Sequence, residues 1–381
     1  MRIGGPRALR AMNDRASLQA LALRGPMSRT ELADEIGVSR PAAAELLRRL
    51  EQAQLVRPDG HQEHGGPGPN ARLWRVNENR GHAVGVDVTT TSIDLAIVDL
   101  TGATVFETTL TGTTDDPIAD LRRAVLEGAA TLDLQVSELS CAVVGISGSI
   151  DPATGLLAHA EHMPQWLGFD VPARLSEALG IPVTVENDVN LVVVDEFMHG
   201  CARGRDDVLL LWMDQGVAAA IIVGGRVHRG ARGAAGEIDA APIGPDGVIL
   251  GRLVDSVGVL ALASASGVAA TEASAAVRAA TTAEDDGTDA STAAARFLTE
   301  LAARIAQTLV IPVSLLDPQL VVLAGDIGVA GGDRLAGLVT TSLHGLVDNR
   351  PEVTPATGRA DAVRHGAVDA AVRQMQEEIF G

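Results

Sequence analysis

The fold of the N-terminal part is decided by residues 27–56, which read MSRTELADEIGVSRPAAAELLRRLEQAQLV. Ser28, followed three residues later by a glutamate, forms the pattern of a capping box and predicts the start of a helix. Gly37 is expected to end that helix, and Ser39 to cap another with Pro41 in its first turn, where a missing N–H costs nothing. Two short helices joined by a glycine-containing turn are typical of a helix-turn-helix.

The flanking residues extend this unit to a winged helix-turn-helix domain over residues 1–80. Residues 8–24 have the apolar spacing of an amphipathic helix, which a Gly-Pro pair ends. After the third helix, a Gly- and Pro-rich tip at 65–69 and a returning strand at Arg72–Val76 predict a β-hairpin wing. An ordinary three-helix bundle is the alternative, but the order of helices, turn and wing favours the winged form.

The second helix of a helix-turn-helix enters the major groove of DNA by its N-terminal residues. Arg40 lies there and is suited to contact guanine through two hydrogen bonds, whereas Arg48 and Arg49, further along, are expected at phosphates. We therefore expect operator DNA as a partner. The predicted DNA-contacting residues are Ser28, Arg29, Ser39, Arg40, Pro41, Ala42, Arg48, Arg49 and Arg72.

Charge is distributed unevenly along the chain. The 381 residues carry 30 basic and 49 acidic side chains, a net charge of −19. Residues 1–80 alone contain 13 Arg and 9 acidic residues, a net of +4, so the remainder carries −23. This asymmetry fits a basic DNA-reading part attached to an acidic body.

The composition gives no indication of a membrane protein or a disulfide-rich protein. Apolar runs such as that near residue 261 are interrupted by small residues, and none offers the roughly 20 apolar residues of a membrane span. The N-terminus lacks the apolar core of a signal peptide. Cys141 and Cys201 are too few for a disulfide framework or a Cys-rich zinc site. A cytoplasmic location is expected.

A duplicated α/β pattern occupies residues 81–381. The first cycle is predicted to contain strands at 83–90, 92–100 and 103–110, a helix at about 116–132 and a strand at 141–147. The second is predicted to contain strands at 207–213, 217–223 and 226–229, helices near 290–310 and a strand at 320–325. Three antiparallel strands followed by α/β structure, occurring twice, predict the two-lobed actin-like ATPase fold, the ribonuclease-H-like fold of sugar kinases.

Four segments of this region carry a family resemblance. They read GVDVTTTSIDLAIVDLTG (85–102), VTVENDVNLVVVDEF (183–197), GVAAAIIVGGRVHRGARGAAGEID (216–239) and LVVLAGDIGVAGGD (320–333). With them the chain resembles the ROK family of repressors, open reading frames and sugar kinases, and a winged helix-turn-helix is typical of its repressor branch. The resemblance implies a repressor of carbohydrate-related genes, homodimeric or homotetrameric, whose large domain senses a sugar or sugar derivative.

The ATP loops implied by the resemblance depart from the kinase pattern at three places. The family's Asp-x-Gly-Gly-Thr turn, in which bare glycine backbone approaches phosphate, reads DVTTT at 87–91. Its Gly-Thr-Gly loop reads DQG at 214–216, and its Gly-Gly-Gly reads AGD at 324–326. We therefore expect a domain that is not an enzyme and holds no cofactor; an active sugar kinase is the less favoured alternative.

The resemblance also implies a sugar site. Asp188 matches the family's catalytic base and, in a regulator, would accept hydrogen bonds from sugar hydroxyls; alternatively it only caps the following helix. Trp166 would either stack on the sugar or fill the core. The implied sugar-contacting residues are Ser147, Gly148, Ser149, Trp166, Asn187, Asp188 and Glu237.

The family's zinc run has no counterpart in the sequence. The family's Gly-His after the Glu237 region reads Asp239-Ala240, and residues 245–258 contain neither cysteine nor histidine. A structural zinc site needs about four nitrogen or sulfur ligands, so no metal is expected. The loss leaves open a second interpretation, in which the large domain is only an oligomerisation scaffold without a sugar ligand. The acidic segment 280–292 is predicted to be a loop or a disordered insertion.

Overall fold

The computed structural model describes residues 6–62, 71–112, 116–160, 162–243, 247–283 and 287–380. The described chain is mixed α/β and divides into two compact units. The first unit comprises Met1–Val144, Pro172–Thr184 and Ala367–Gly381, and the second comprises Gly145–Val171 and Val185–Gly366. The domain boundary near residue 80 stays a prediction.

The N-terminal part of the first unit is the predicted winged helix-turn-helix. Its helices are α1 (Pro6–Arg24), α2 (Arg29–Glu35) and α3 (Arg40–Gln52). Its strands are β1 (Met27–Ser28), β2 (Val56–Gln62) and β3 (Ala71–Val76), which form an antiparallel sheet in the order β1-β3-β2. The predicted wing tip at 65–69 lies outside the described residues.

Local hydrogen bonds explain where α2 and α3 begin. The Ser28 amide donates to the Glu31 carboxylate at 2.7 Å and the Glu31 amide donates to the Ser28 hydroxyl at 3.3 Å, which is the predicted capping box. The Ser39 hydroxyl accepts from the Ala42 amide at 3.4 Å and caps α3. Between the helices Gly37 has φ +69°, a left-handed conformation that glycine adopts without strain.

A five-stranded sheet that belongs mainly to the first unit runs in the order β10-β7-β4-β5-β6, and the last residues of β7 and β10, from 145 and 185 on, are assigned to the second unit. Its strands are β4 (His82–Val88), β5 (Ser92–Asp99), β6 (Thr104–Thr111), β7 (Leu139–Ile146) and β10 (Val183–Asn187). Helix α4 (Pro117–Thr131) packs so closely that a Cβ at Gly128 would lie 2.8 Å from the Ile97 and Phe106 side chains. Helix α12 (Ala362–Phe380) approaches β4 equally closely, since a Cβ at Gly85 would lie 2.6 Å from the Val368 nitrogen.

The second unit contains a sheet of the same topology, in the order β13-β12-β11-β16-β17. Its strands are β11 (Val208–Met213), β12 (Val217–Val223), β13 (Arg226–Val227), β16 (Leu320–Ala324) and β17 (Glu352–Pro355). In both sheets three antiparallel strands are followed by two strands added beside the first of them, which confirms the predicted duplication.

Helices cover both faces of this second sheet. They are α6 (Asp188–His199), α7 (Gly251–Val254), α8 (Ser256–Ser266), α9 (Ala273–Thr282), α10 (Asp289–Leu316) and α11 (Gly325–His344). Side chains of β11 alternate between two hydrophobic clusters, with Leu209 and Leu211 in the cluster that holds α10, and Val208 and Leu210 in the cluster that holds α6. The sheet is therefore buried on both faces.

The structure also contains two small hairpins and one further α-helix. Hairpin β8 (Ser149–Ile150) and β9 (Leu157–Ala158) follows β7, and helix α5 (Val171–Leu179) comes before β10. A second small hairpin pairs β14 (Pro242–Ile243) with β15 (Val248–Ile249).

Helices extend into both ends of the acidic segment 280–292, which was predicted to be a loop or a disordered insertion, and residues 284–286 of it lie outside the described residues. Helix α9 continues to Thr282 and α10 begins at Asp289, capped by the Thr288 hydroxyl, which accepts from the Ser291 amide at 3.2 Å. The prediction was wrong at both ends, because the alanine-rich sequence before residue 283 favours helix and the Thr288 cap starts α10 at Asp289.

Within the described residues, α10 is the one helix long and apolar enough to cross a membrane by length and composition, with a mean hydropathy of 1.3 over an 18-residue window. In the structure its Phe297, Leu301 and Ile305 side chains are fully buried in the core of the second unit.

Candidate functional sites

The start of α3 presents an exposed arginine. Arg40 is the first residue of this helix, and the neighbouring Pro41 and Ala42 are exposed as well. Arg29 holds the same place on α2 and is also exposed. Neither guanidinium forms an ion pair with a residue that the structure describes, so both can bind an external anion.

A groove of about 510 Å³ lies between the start of α2, α3 and β3. Arg29, Arg48 and Arg72 line it together with Trp74. The Arg72 guanidinium stacks on the Trp74 ring, 4.3 Å from its centroid, which orients its donors without consuming them. Three guanidiniums on one groove suit a ligand with repeated phosphates.

Two of the groove arginines already have acidic partners. Arg48 donates to Glu45, one turn earlier, at 2.6 Å, and Arg72 pairs with Glu51 at 3.4 Å. All four side chains are about half exposed, so these ion pairs are weak and can be exchanged for contacts to phosphate.

Two other residues predicted to contact DNA lie in structural positions. Ser28 is only 4% exposed, and its hydroxyl is engaged in the capping box of α2. Arg49 pairs with Asp14 at 2.5 Å and joins α3 to α1. The sequence around Arg49 does not indicate this ion pair, because its partner lies 35 positions away. The sequence therefore predicted a phosphate contact for Arg49.

The second unit brings several residues of the implied sugar site together where β10 meets α6. Asn187 accepts from the Asn190 amide at 3.0 Å and donates to the Gly148 carbonyl at 3.0 Å, and the Ser147 hydroxyl bonds to Asp188. Gly148 has φ +102°, and a Cβ there would lie 2.5 Å from the Ala158 carbonyl oxygen, so this loop requires glycine.

Asp188 is a carboxyl of this cluster whose pKa is raised. Burial raises its pKa to about 6, the negative charge of Glu237 adds to the increase, and hydrogen bonds from the Val189 amide and the Ser147 hydroxyl oppose it. Because the charge of Glu237 affects the pKa of Asp188, we count Glu237 as a member of the same cluster. The arrangement offers several oxygen acceptors for hydroxyl groups.

The alternative that Asp188 caps α6 is wrong. Asn187 is the N-cap, with extended φ −62° and ψ 138°, and its side chain accepts the amide three residues on. Asp188 is the first residue inside the helix, where the backbone amide that its carboxylate accepts at 2.8 Å is that of the adjacent Val189 rather than one two or three residues on. The cap falls on the last residue with extended backbone, as helix geometry requires.

Two predicted sugar contacts are instead buried. Trp166 is 2% exposed, in a short 3-10 turn over Pro164–Trp166, which favours the core-filling interpretation of its ring. Ser149 is also 2% exposed, and its hydroxyl lies 3.0 Å from the His159 Nδ1.

An ion pair between a buried glutamate and an arginine whose side chain is 57% exposed lies beside this cluster and was not among the predicted site residues. Glu186 is 7% exposed, and its carboxylate lies 2.5 Å from the Nε of Arg229. Glu186 directly precedes Asn187 and was visible in the motif, but its partner is 43 residues away and only the fold reveals it.

The turn between β4 and β5, the first of the three ATP loops implied by resemblance, is closed by its own side chains. The Thr89 hydroxyl accepts from the Thr91 amide at 3.2 Å and from the Ser92 amide at 2.9 Å. With glycine in place of Thr89, these two backbone amides would be open to phosphate; here they already donate to the Thr89 hydroxyl.

The loops of the second unit carry negative charge. Burial and the nearby Asp326 carboxylate raise the pKa of Asp214. The Val217 amide, at the end of the same loop, donates to the Asp239 carboxylate at 3.0 Å. Two neighbouring carboxylates and an internally satisfied amide oppose the binding of a polyphosphate.

Two regions of the chain match known protein families. Residues 83–373 match the ROK family, and residues 17–60 match the IclR helix-turn-helix domain. The bifunctional enzyme NanE/NanK of Brucella melitensis biotype 1 is 31% identical over 234 residues, which are 60% of this chain and 43% of that protein. The xylose repressor of Bacillus subtilis is 22% identical over 237 residues, 60% of each chain. The chain spans about half the length of the curated relatives it matches first.

Solved structures show the same fold. A ROK family transcriptional regulator, a homologue of the E. coli MLC protein, superposes with a TM-score of 0.71 at 18% identity and covers 98% of this chain and 99% of its own. The ROK hexokinase from Thermus thermophilus superposes with a TM-score of 0.62 at 22% identity, over 78% of this chain and 99% of its own. Because the family match extends over most of the sequence and the fold agrees with it, the chain belongs to the ROK family.

Proposed function

We propose that this ROK protein is a DNA-binding transcriptional repressor of carbohydrate-related genes. The observation that carries the proposal is the exposed Arg40 at the start of α3, which forms no ion pair within the described part of the chain, together with the groove beside α3 that three arginines line. The similarity to a xylose repressor and to a ROK family transcriptional regulator supports it. The protein would act in the cytoplasm, where operator DNA is available.

In this proposal α3 enters the major groove and Arg40 contacts a guanine, while Arg29, Arg48 and Arg72 contact phosphates along the groove. Ser39 supports Arg40 by capping the helix. A homodimer or homotetramer would place two α3 helices on the half-sites of a pseudo-palindromic operator.

The kinase-like domain would bind a sugar or sugar derivative without phosphorylating it. Asp188, Asn187 and Glu237 supply hydrogen-bond acceptors, and a pKa of about 6 leaves Asp188 mostly ionised at neutral pH. The closed turn at Thr89 and the carboxylate of Asp214 oppose ATP binding, so affinity for the sugar would not lead to phosphate transfer.

The test uses the full chain and fluorescently labelled DNA from upstream of its own and neighbouring genes. We expect anisotropy to report specific binding to a pseudo-palindrome. N-acetylmannosamine, glucose or xylose should change that affinity by a factor of about 5 to 150, the usual range of coupling between two sites. Specific DNA binding with no sugar bound in calorimetry would favour the scaffold alternative, and failure of specific binding would contradict the repressor.

An active sugar kinase is the second candidate, and Asp188 is the observation that favours it. A partly buried carboxyl with a pKa near 6 suits a general base that takes a proton from a sugar hydroxyl. Measurement of ADP release with ATP and the same sugars separates the two functions. Turnover that disappears in Asp188→Asn would establish the kinase, whereas sugar binding without ADP release supports the regulator.

A further inference from the structure

The segment 228–239, which carries Glu237, contains no helix or strand. Backbone contacts hold it at two glycines with positive φ. Gly233 has φ +75°, and a side chain there would overlap the Ile150 carbonyl oxygen; Gly236 has φ +98° and accepts from the Ala219 amide at 2.9 Å. These contacts set the distance of the segment from β8 and β12 but do not join it to α6.

The Arg229 side chain supplies that connection. Its Nε donates to one oxygen of Glu186 at 2.5 Å, while the other oxygen of Glu186 accepts from the Asn190 side chain at 2.9 Å and the Asn187 amide at 3.0 Å. The Arg229 carbonyl also accepts from the Ala235 amide at 3.1 Å, which closes the segment on itself. Because Glu186 is buried, removal of its cationic partner leaves a charge that only amide groups satisfy.

We propose that the Arg229–Glu186 ion pair is the positioning device of the sugar site. It joins the segment that carries Glu237 to the strand end that carries Asn187 and Asp188, so the two carboxylates keep one separation despite their mutual repulsion. Arg229 is a positioning residue, since it acts through Glu237. The inference rests on the proposed sugar binding and adds Arg229 as the residue that fixes the separation of the Asp188 and Glu237 carboxylates.

The first test compares Arg229→Gln with Arg205→Gln. Arg205 forms an exposed ion pair with Glu352 in the same unit, also at 2.5 Å, so the control removes an equal charge elsewhere. With N-acetylmannosamine, glucose and xylose as probes in calorimetry, Arg229→Gln should weaken sugar binding about tenfold or more, as expected for loss of an outer support. Operator binding without sugar should stay unchanged, and Arg205→Gln should bind sugar as the parent does.

A double-mutant cycle separates positioning from a general loss of structure. If Arg229 acts through Glu237, Arg229→Gln should have little further effect on sugar affinity in a Glu237→Gln background. Arg229→Lys, which keeps the charge, should restore part of the affinity. Additive losses in the cycle, or sugar affinity unchanged in Arg229→Gln, would overturn the inference.

Hydrogen exchange tests the positioning device without a ligand. Amides in 228–239 should exchange faster in Arg229→Gln and at the parent rate in Arg205→Gln. Unchanged protection would refute the positioning role even if sugar binds. If none of the sugars binds to the parent protein but protection falls, the sugar-sensing function fails while the structural link stands.

Discussion

The helix-turn-helix surface and the Asp188 cluster both depend on charged side chains, but they differ in solvent exposure. Arg29 and Arg40 are exposed, and Arg48 and Arg72 form ion pairs with acidic neighbours in which all four side chains are about half exposed. Asp188 is enclosed except for a minor part of its surface, and burial raises its pKa to about 6. The exposed site should therefore respond to salt, which screens surface charges, and the enclosed site to pH.

The largest expected effect concerns the enclosed site. Asp188→Ala should abolish the response of operator binding to sugar, because it removes the central acceptor, while operator binding itself remains. Anisotropy titrations with and without sugar measure both quantities. A variant that still responded to sugar would show that Asp188 is not part of the sensor.

On the exposed surface, Arg40→Ala should weaken operator binding by roughly 1 to 3 kcal/mol and relax the preference at one base pair. Arg48→Ala is the matched comparison, because loss of a phosphate contact weakens all sequences alike. Binding to a set of single-base operator variants distinguishes the two. If Arg40→Ala lost the same affinity for every operator variant, Arg40 would contact a phosphate and not a base.

The pH dependence of stability tests whether Asp188 is enclosed. Since its folded pKa lies above the usual value of about 3.9, the folded state favours the protonated form, and the free energy of unfolding falls as pH rises toward 6. Asp188→Asn removes this titration and keeps an acceptor for the Val189 amide. Relative to the parent, the variant should gain roughly 1 to 2 kcal/mol between pH 5 and pH 8, because the remaining part of the shift lies below pH 5.

Thermal unfolding of parent and variant across that pH range provides the measurement. Asp348→Asn, at an exposed aspartate of the second unit, is the control and should show no such trend. A flat difference between Asp188→Asn and the parent would mean that Asp188 is solvated, and the contrast between the two sites would disappear.

The smallest expected effect concerns the acidic neighbours of the groove. Glu51→Gln frees Arg72 and removes repulsion of phosphate, so operator affinity should rise by less than about 1 kcal/mol, the range of exposed ion pairs. The salt dependence should also steepen, with a log–log slope approaching about 0.9 per phosphate contact. Glu300→Gln breaks an ion pair with Arg304 in the second unit and should change neither quantity. An unchanged affinity in Glu51→Gln would indicate that Arg72 does not reach phosphate.

The amino-acid sequence by itself determined the features that depend on near neighbours along the chain. Ser28 and Ser39 cap their helices through groups three residues away, and Gly37 adopts the left-handed conformation that the turn needs. The strands and the twofold repeat followed from hydrophobic runs with turns between them. Such features are predictable because each interaction is complete within a few residues.

Only the tertiary structure decided which charged groups are free, paired or enclosed. Arg49 forms an ion pair with Asp14, 35 positions away, and Glu186 forms one with Arg229, 43 positions away. The pKa of Asp188 depends on the atoms that exclude water around it, which no local motif specifies. Desolvation and long-range pairing are properties of the packed chain, so the chemistry of the candidate sites required the fold.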